Sequence, residues 1–328
     1  MNIRTYEEAD RKQLLALWND CVAQGEVLYR PLTEEYFENK FLSFPNVLIL
    51  VAEEEGKFAG FVIGCKKYSF LPGEDEGTPA YLSVIMVEKA FRRRGIGSAL
   101  LAAFERHFVD QGKKSFALAS NTPINLDWVI PGTPGHEHNN MPGLDVECAG
   151  YPFLIKNGYV ELGREVSLYL NLSDYQKSAD VEEKRARLAS EGIIAGRYDV
   201  SQKAEFDGMC DRVKSEYWRK VLQDETSAEH PRVILAAVTE GHIVGFTGPV
   251  DKQENGRGWF TGICTDPLYE KRGIASVLFN DLMCEFIQIG AAYSSIFTGV
   301  TNHAQRLYIR IGFVPKRYFA SMRKNLEG

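Results

Sequence analysis

The 328-residue chain has no long hydrophobic run. Its longest apolar stretches, residues 47–52 and 233–238, fall far below the ~20 residues of a spanning helix, so no membrane partner is expected. The first residues, Met-Asn-Ile-Arg-Thr-Tyr-Glu-Glu, contain no apolar signal core, and the expected location is the cytoplasm. The six cysteines (Cys21, Cys65, Cys148, Cys210, Cys264, Cys284) include no C-x-x-C pair. Most sit among apolar residues and read as small reduced hydrophobes, which excludes a disulfide scaffold. There is no excess of positive charge. The formal net charge of −6 argues against a general nucleic-acid binder. It fits a cationic small substrate, or simply a soluble surface. Glycine, proline and charge are not skewed as in collagen-like or disordered chains. The length is about twice a typical ~150-residue domain, enough for two separate cores.

The chain does contain an internal repeat. Arg92-Arg93-Arg94-Gly95-Ile96-Gly97-Ser98-Ala99-Leu100-Leu101 is echoed by Glu270-Lys271-Arg272-Gly273-Ile274-Ala275-Ser276-Val277-Leu278-Phe279. Strand-like runs precede both copies, at 81–87 and 259–265. Apolar-periodic helical stretches follow, ending at Gly112 and Gly290, each 17 residues past the first glycine of its copy. Short β-rich runs then come at 115–120 and 293–298. Each half also has a helix ending in glycine and an aromatic, at Gly158-Tyr159 and Gly312-Phe313. The first half carries about 24 extra residues, within 121–149. Pro123, Pro131-Gly132, Pro134-Gly135 and Pro142-Gly143 give this insert loop chemistry, and a loop of that length is a candidate lid.

The remaining order is parallel too. The first half opens with a strand at 2–5 and a helix at 10–22; a helical 33–42 and strands at 47–52 and 57–66 follow. The second opens with a strand at 194–200 and a helix over 202–222, then strands at 232–238 and 242–250. Residues 173–191 are charged and helical in pattern. The expected division is an N-terminal domain 1–172, a helical linker 173–191 and a C-terminal domain 192–328.

A strand ending in a basic, glycine-containing turn that opens a helix is an anion site in outline. The first helical turn has free N–H groups and the positive end of the dipole. Glycine at 95 and 97 allows close approach of the backbone to a phosphate. The sequence contains no G-x-x-x-x-G-K-[ST] phosphate loop, and Gly95-Ile96-Gly97 lacks the last glycine of a dinucleotide fingerprint.

On these residues the chain resembles the GNAT superfamily of acyl-CoA-dependent N-acyltransferases, in the tandem arrangement of two such domains. The family's pyrophosphate loop is matched by Arg92-x-x-Gly95-x-Gly97. Gly273-x-Ala275 matches it in the second half, where Glu270 replaces the arginine or glutamine. The second motif of the family is carried by Asn302, Ala304, Leu307, Tyr308, Gly312 and Phe313. The resemblance implies a mixed α/β fold built twice. Each copy would be a mixed, mostly antiparallel sheet with a splayed central strand, flanked by helices.

It further implies acetyl-CoA as acyl donor, bound along Ile85, Met86 and Val87 and by Arg92, Arg93, Arg94, Gly95, Ile96, Gly97 and Ser98. The corresponding positions of the second half are Ile263, Cys264, Thr265, Lys271, Arg272, Gly273, Ile274, Ala275 and Ser276, with Asn302 beyond them. Tyr308 occupies the family's general-acid position. A thiol of pKa near ~8.5 and a phenol near ~10 make proton donation to the departing thiolate inexpensive. Leu154 stands at that place in the first half, with Tyr151 one helical turn earlier. The C-terminal half is therefore expected to be catalytic, and the N-terminal half to bind cofactor or shape the acceptor site.

The expected activity is acetyl transfer to the amine of a small molecule or peptide. A non-catalytic acyl-CoA-binding regulator and a protein-lysine acetyltransferase are the alternatives. Glu216, Tyr217 and Trp218 either face an acceptor pocket or pack the aromatics into the core. His136-Glu137-His138 reads as an exposed polar loop, without further ligands at metal-binding spacing.

Overall fold

The computed structural model describes residues 1–70, 73–120 and 122–326. In chain order the strands and helices begin with β1 (Asn2–Thr5), α1 (Arg11–Ala23), α2 (Glu34–Phe37), β2 (Val47–Glu54), β3 (Lys57–Cys65) and β4 (Ala80–Val87). Then come α3 (Ile96–Val109), β5 (Ser115–Leu118), β6 (Trp128–Val129), β7 (Glu137–His138), β8 (Leu144–Asp145), α4 (Gly150–Lys156) and β9 (Val160–Asn171). The second half holds α5 (Val181–Ser190), β10 (Ile194–Arg197), α6 (Asp207–Val213), α7 (Glu216–Ser227), β11 (Leu235–Thr239) and β12 (His242–Gly248). It ends with β13 (Asp251–Lys252), β14 (Arg257–Trp259), β15 (Gly262–Thr265), α8 (Ile274–Gln288), β16 (Tyr293–Gly299), α9 (Ala304–Ile311) and β17 (Val314–Asn325).

These elements form two compact units. Unit 1 holds Met1–Ser167, Phe297–Thr301 and the segment from Lys316 onward; unit 2 holds Leu168–Ile296 and Asn302–Pro315. The expected division follows chain order, and these units do not. The physical reason is strand pairing: β17 runs antiparallel to β5, with Met322 opposite Leu118 and Lys324 opposite Phe116. The last strand of the chain thereby completes the sheet of unit 1.

That sheet runs β1-β2-β3-β4-β5-β17, antiparallel except for the parallel β4–β5 pair. β2 and β3 are nearly continuous apolar runs because both sheet faces are covered. On one face α3 buries Leu100, Leu101, Phe104 and Phe108 against Leu50, Val62, Leu82 and Phe116. Each such side chain is worth roughly 1.5–3 kcal/mol of burial. α1 buries Leu14, Leu17, Trp18 and Cys21. Unit 2 repeats the plan with a four-stranded β10-β11-β12-β15 sheet and a β13-β14-β16 set, in which β14–β16 is parallel. The mixed α/β fold, built twice, matches the expectation.

Two local expectations are corrected. The helix over 202–222 is two helices, because Lys214 takes a left-handed φ of 55° and Ser215 then caps α7 by accepting from the Trp218 amide. The insert is not an open loop, although Asn121 lies outside the described residues. Ile124, Leu126, Trp128 and Ile130 are buried at every second position, and β8 pairs with β17. Among the described residues no helix is long and apolar enough to cross a membrane.

Candidate functional site

The central strand of each unit is splayed. β4 pairs with β5 only at Ala80↔Phe116 and Tyr81↔Ala117; from Leu82 onward that edge is free of β5, while the β3 edge stays paired to Val87. In unit 2, Arg257 and Gly258 pair with Tyr293 and Ser294 of β16, and the strand breaks at Phe260-Thr261. It resumes as β15, which pairs with β12 alone. Each unit thus opens a fork beside three of the expected cofactor positions: Ile85, Met86 and Val87 in unit 1, and Ile263, Cys264 and Thr265 in unit 2. The side chains of Ile85 and Val87 pack on the α3 face, and Met86 is buried. Cys264 is buried beside Met209.

At the end of each forked strand the chain makes the same turn. A 3-10 turn is followed by an extended residue, Arg92 (φ −64°, ψ 155°) or Glu270 (φ −61°, ψ 162°). Arg93 and Lys271 are then left-handed, at φ 64° and 62°. Gly95 (φ 83°) and Gly273 (φ 95°) are left-handed again and cap α3 and α8 without any side-chain hydrogen bond. For arginine and lysine this backbone is uncommon, and it recurs at the same place in both copies. Successive N–H groups in such an alternation form an anion-binding concavity at the helix N-terminus. The residue chemistry suits a diphosphate: exposed Arg93 and Arg94 flank the first turn, and exposed Lys271 and Arg272 the second.

The two turns differ in their surroundings. Gly95 and Ser98 are exposed, and a Cβ on Gly95 would meet nothing within 4 Å. Gly97 lies against Phe153 and Val87, and a Cβ there would stand 3.3 Å from the Phe153 ring. In unit 2, α5 brings two cations to the turn. Arg187 donates to the Arg272 carbonyl at 2.8 Å, and Lys184 to the Ser276 hydroxyl at 3.1 Å. Arg272 itself pairs with Glu191 at 3.0 Å. Ile274 is buried, its side chain against Gly245. Ala275 takes the place of Gly97.

Several expected side chains are engaged elsewhere. Arg92 is held by both oxygens of Glu26, at 2.8 and 2.7 Å, and donates to the Val87 carbonyl; it braces the turn instead of standing free for a phosphate. Asn302 accepts from the Ala304 amide at 2.9 Å and so starts α9. The Tyr151 hydroxyl donates to Glu161 at 2.6 Å, beside Arg164. Tyr308 is 9% exposed and packs on Phe279 and Phe313. Burial pushes its phenol up to about 12.

Glu216 is exposed and paired with Arg219, and Tyr217 is 59% exposed. Trp218 alone of that trio turns inward, against Gly262 of the forked strand. The His136–His138 segment is a half-buried hairpin strand, with His138 buried, because β7 pairs with the buried β6. Among the described residues no group of three His, Cys, Asp or Glu side chains is placed to hold a metal ion.

Sequence reasoning missed the cleft in the fork of unit 1. It is lined by Tyr29, Leu82, Ser83, Leu118, Met141 and Leu144, among others. The insert supplies one wall, and its period-two apolar pattern over 124–130 was the available signal.

Comparison with known proteins agrees with this geometry. The family described as "Acetyltransferase (GNAT) family" matches residues 12–126 and 200–313. Acetyltransferase YE1169 of Yersinia enterocolitica is 30% identical over 115 residues, covering 34% of this chain and 70% of that protein. Among solved structures, the GCN5-related glucosamine N-acetyltransferase region of a fungal multi-domain GH3 β-N-acetylglucosaminidase superposes with a TM-score of 0.69 at 18% identity. That match takes in 98% of this chain and only 38% of the fungal one. A tandem GNAT protein of the clavulanic acid biosynthesis pathway gives a TM-score of 0.55 at 14% identity, over 100% and 99% of the two chains. At these identities the structures speak to the fold, and the family match covers more than half of the sequence. The chain belongs to the acetyltransferase (GNAT) family, as two tandem copies.

Proposed function

We propose that the chain transfers an acetyl group from acetyl-CoA to the amine of a small molecule or peptide. Unit 1 is read as a cofactor seat, and Tyr308 in unit 2 as the group that assists departure of the thiolate. The family uses acyl-CoA. The observation that carries the reading is the turn with two left-handed residues, repeated at the end of both forked strands. In the net reaction an N–C bond forms, the C–S bond breaks, and one amine proton ends on sulfur. Arg93, Arg94 and the amides of Gly95 to Ser98 would hold the diphosphate in unit 1. Lys271, Arg272 and the amides of Gly273 to Ser276 are their counterparts in unit 2.

The Tyr308 hydroxyl makes no hydrogen bond among the described residues, so its proton is available to a sulfur acceptor. With the phenol at about 12, its proton is held more than three pKa units above a ~8.5 thiol, roughly 4–5 kcal/mol. Outright donation is therefore costlier than for an exposed tyrosine. The reading is a hydrogen bond to the departing sulfur, with the proton supplied in the end by the amine. Tyr308→Phe should lower kcat about 10- to 100-fold, measured as thiol release from acetyl-CoA with a panel of amines. The affinity for CoA should stay the same. Unchanged turnover in that variant would rule out the role.

A second reading, with the reaction in unit 1, is favoured by the open Gly95 turn and the adjoining cleft. It predicts loss of turnover in Gly97→Asp and none in Tyr308→Phe.

A further inference from the structure

The first phosphate turn leans on a carboxylate far away in the sequence. Arg92, the residue before left-handed Arg93, donates to the Val87 carbonyl at 2.8 Å and to both oxygens of Glu26, at 2.8 and 2.7 Å. One guanidinium thus ties the end of the forked strand to a bidentate partner. It keeps the Glu26 carboxyl below its usual range, so the pair is ionised at neutral pH. Glu26 is itself firmly presented. Its amide donates to the Cys21 carbonyl near the end of α1 at 3.0 Å. Residues 28–32 are pinned from two sides. The Val129 amide donates to the Leu28 carbonyl at 2.7 Å, and the Arg30 amide to the Asp127 carbonyl at 2.9 Å. From α1, the Trp18 indole donates to the Arg30 carbonyl at 2.9 Å, and Asn19 exchanges two hydrogen bonds with the Leu32 backbone.

Unit 2 meets the same need with the charges exchanged. Glu270, at the place of Arg92, is exposed. The clasp there is Arg212 of α6, whose Nε donates to both oxygens of Asp266, at 2.8 and 3.0 Å. Asp266 is fully buried, and it accepts from the Leu268 amide at 3.0 Å, which starts the 3-10 turn leading into the second phosphate turn. Asp266 stands seven residues before Gly273; seven before Gly95 stands Glu88, which takes no part in the clasp of unit 1. The helix after the first strand of each unit is therefore tied to the phosphate turn by an arginine–carboxylate pair. The two pairs use different positions and opposite polarity. Descent from one duplicated sequence does not account for that, and a shared mechanical demand does.

The demand is strain. Arg93 and Lys271 hold a left-handed backbone that side chains disfavour, and neither α3 nor α8 has a side-chain hydrogen bond at its cap. Such a turn relaxes unless its flanks are held, and apparent affinity falls with the fraction of time it spends out of shape. Electrostatics alone gives the opposite expectation, because a carboxylate beside a phosphate seat weakens binding. We propose that Glu26 is a positioning residue, which through Arg92 holds the first turn in its anion-binding form before the cofactor arrives. This rests on the reading of unit 1 as a cofactor seat, and the test separates the two.

CoA is titrated calorimetrically into the full chain carrying Ala275→Asp, which silences the turn of unit 2. Glu26→Gln, Arg92→Gln and the double variant are compared in that background. Glu26→Gln should weaken CoA binding about tenfold, the loss for a turn in shape one time in ten, although it removes a negative charge. Arg92→Gln should lose about as much. The double variant should fall no more than about threefold below either single one, because all three break the same pair. The Tm should stay within a few degrees of the parent, since a pair whose side chains are 35% and 30% exposed adds little stability. A merely structural pair would move the Tm and leave the affinity alone. Unchanged or tighter CoA binding in Glu26→Gln, or losses that multiply in the double variant, would overturn the role of Glu26 while leaving the seat intact. No CoA binding in the parent would overturn the seat, and the role of Glu26 with it.

Discussion

Gly97→Asp tests the phosphate turn of unit 1 most directly. It puts a carboxylate on the second residue of α3, at the place where the turn is read as gripping a diphosphate. Two unit charges ~5 Å apart at an effective dielectric of ~20 repel by about 3 kcal/mol, or over 100-fold in affinity. The fold should tolerate the change. A Cβ at this position would stand 3.3 Å from the Phe153 ring and 3.7 Å from Val87, a contact that a few tenths of an ångström relieve. Unit 2 has Ala275 at the equivalent place. A carboxylate in a first helical turn is itself favourable by ~0.3–1 kcal/mol. The assay is calorimetric titration with CoA, with Gly97→Ala as the control that keeps affinity within about threefold. If the Gly97→Asp protein binds CoA with wild-type affinity and stoichiometry, the turn does not hold the diphosphate and the reasoning fails.

Other expectations follow from neighbouring contacts. Arg187→Glu reverses a charge that touches the second turn through the Arg272 carbonyl. In the Gly97→Asp background it should weaken CoA binding at unit 2 about tenfold, and an unchanged titration would show that α5 contributes nothing there. Asp10 is held below the usual carboxylate range by its hydrogen bonds from Arg4. Its contribution is therefore complete above pH ~4 and is lost as pH falls through the depressed value. Asp10→Asn should lower stability at pH 7 by about 1–3 kcal/mol and flatten the acid limb of the Tm–pH curve. A parallel downward shift at every pH would argue against it.

Much of the plan could be read from the sequence because its signals are local. The paired turns announce themselves through glycine and adjacent cations, and β2 to β4 through their nearly continuous apolar runs. What escaped depends on distant partners. Arg92 looked free for a phosphate, yet its carboxylate partner Glu26 is 66 residues away. The break at Lys214 uses a left-handed residue that is not glycine, so no breaker marks it. The insert hid its alternation of Ile124, Leu126, Trp128 and Ile130 behind four proline-containing turns.

The pairing of β17 with β5 has a consequence for biosynthesis. The strand that closes the first unit is made long after β5, so the β5 edge stays bare while residues 119–313 are synthesised. Bare edges template wrong partners, and a chaperone or rapid collapse must guard this one until β17 has been made. No single cut in the polypeptide releases both units whole. A fragment ending near residue 172 keeps the exposed edge, and its complement carries a strand with nothing to join.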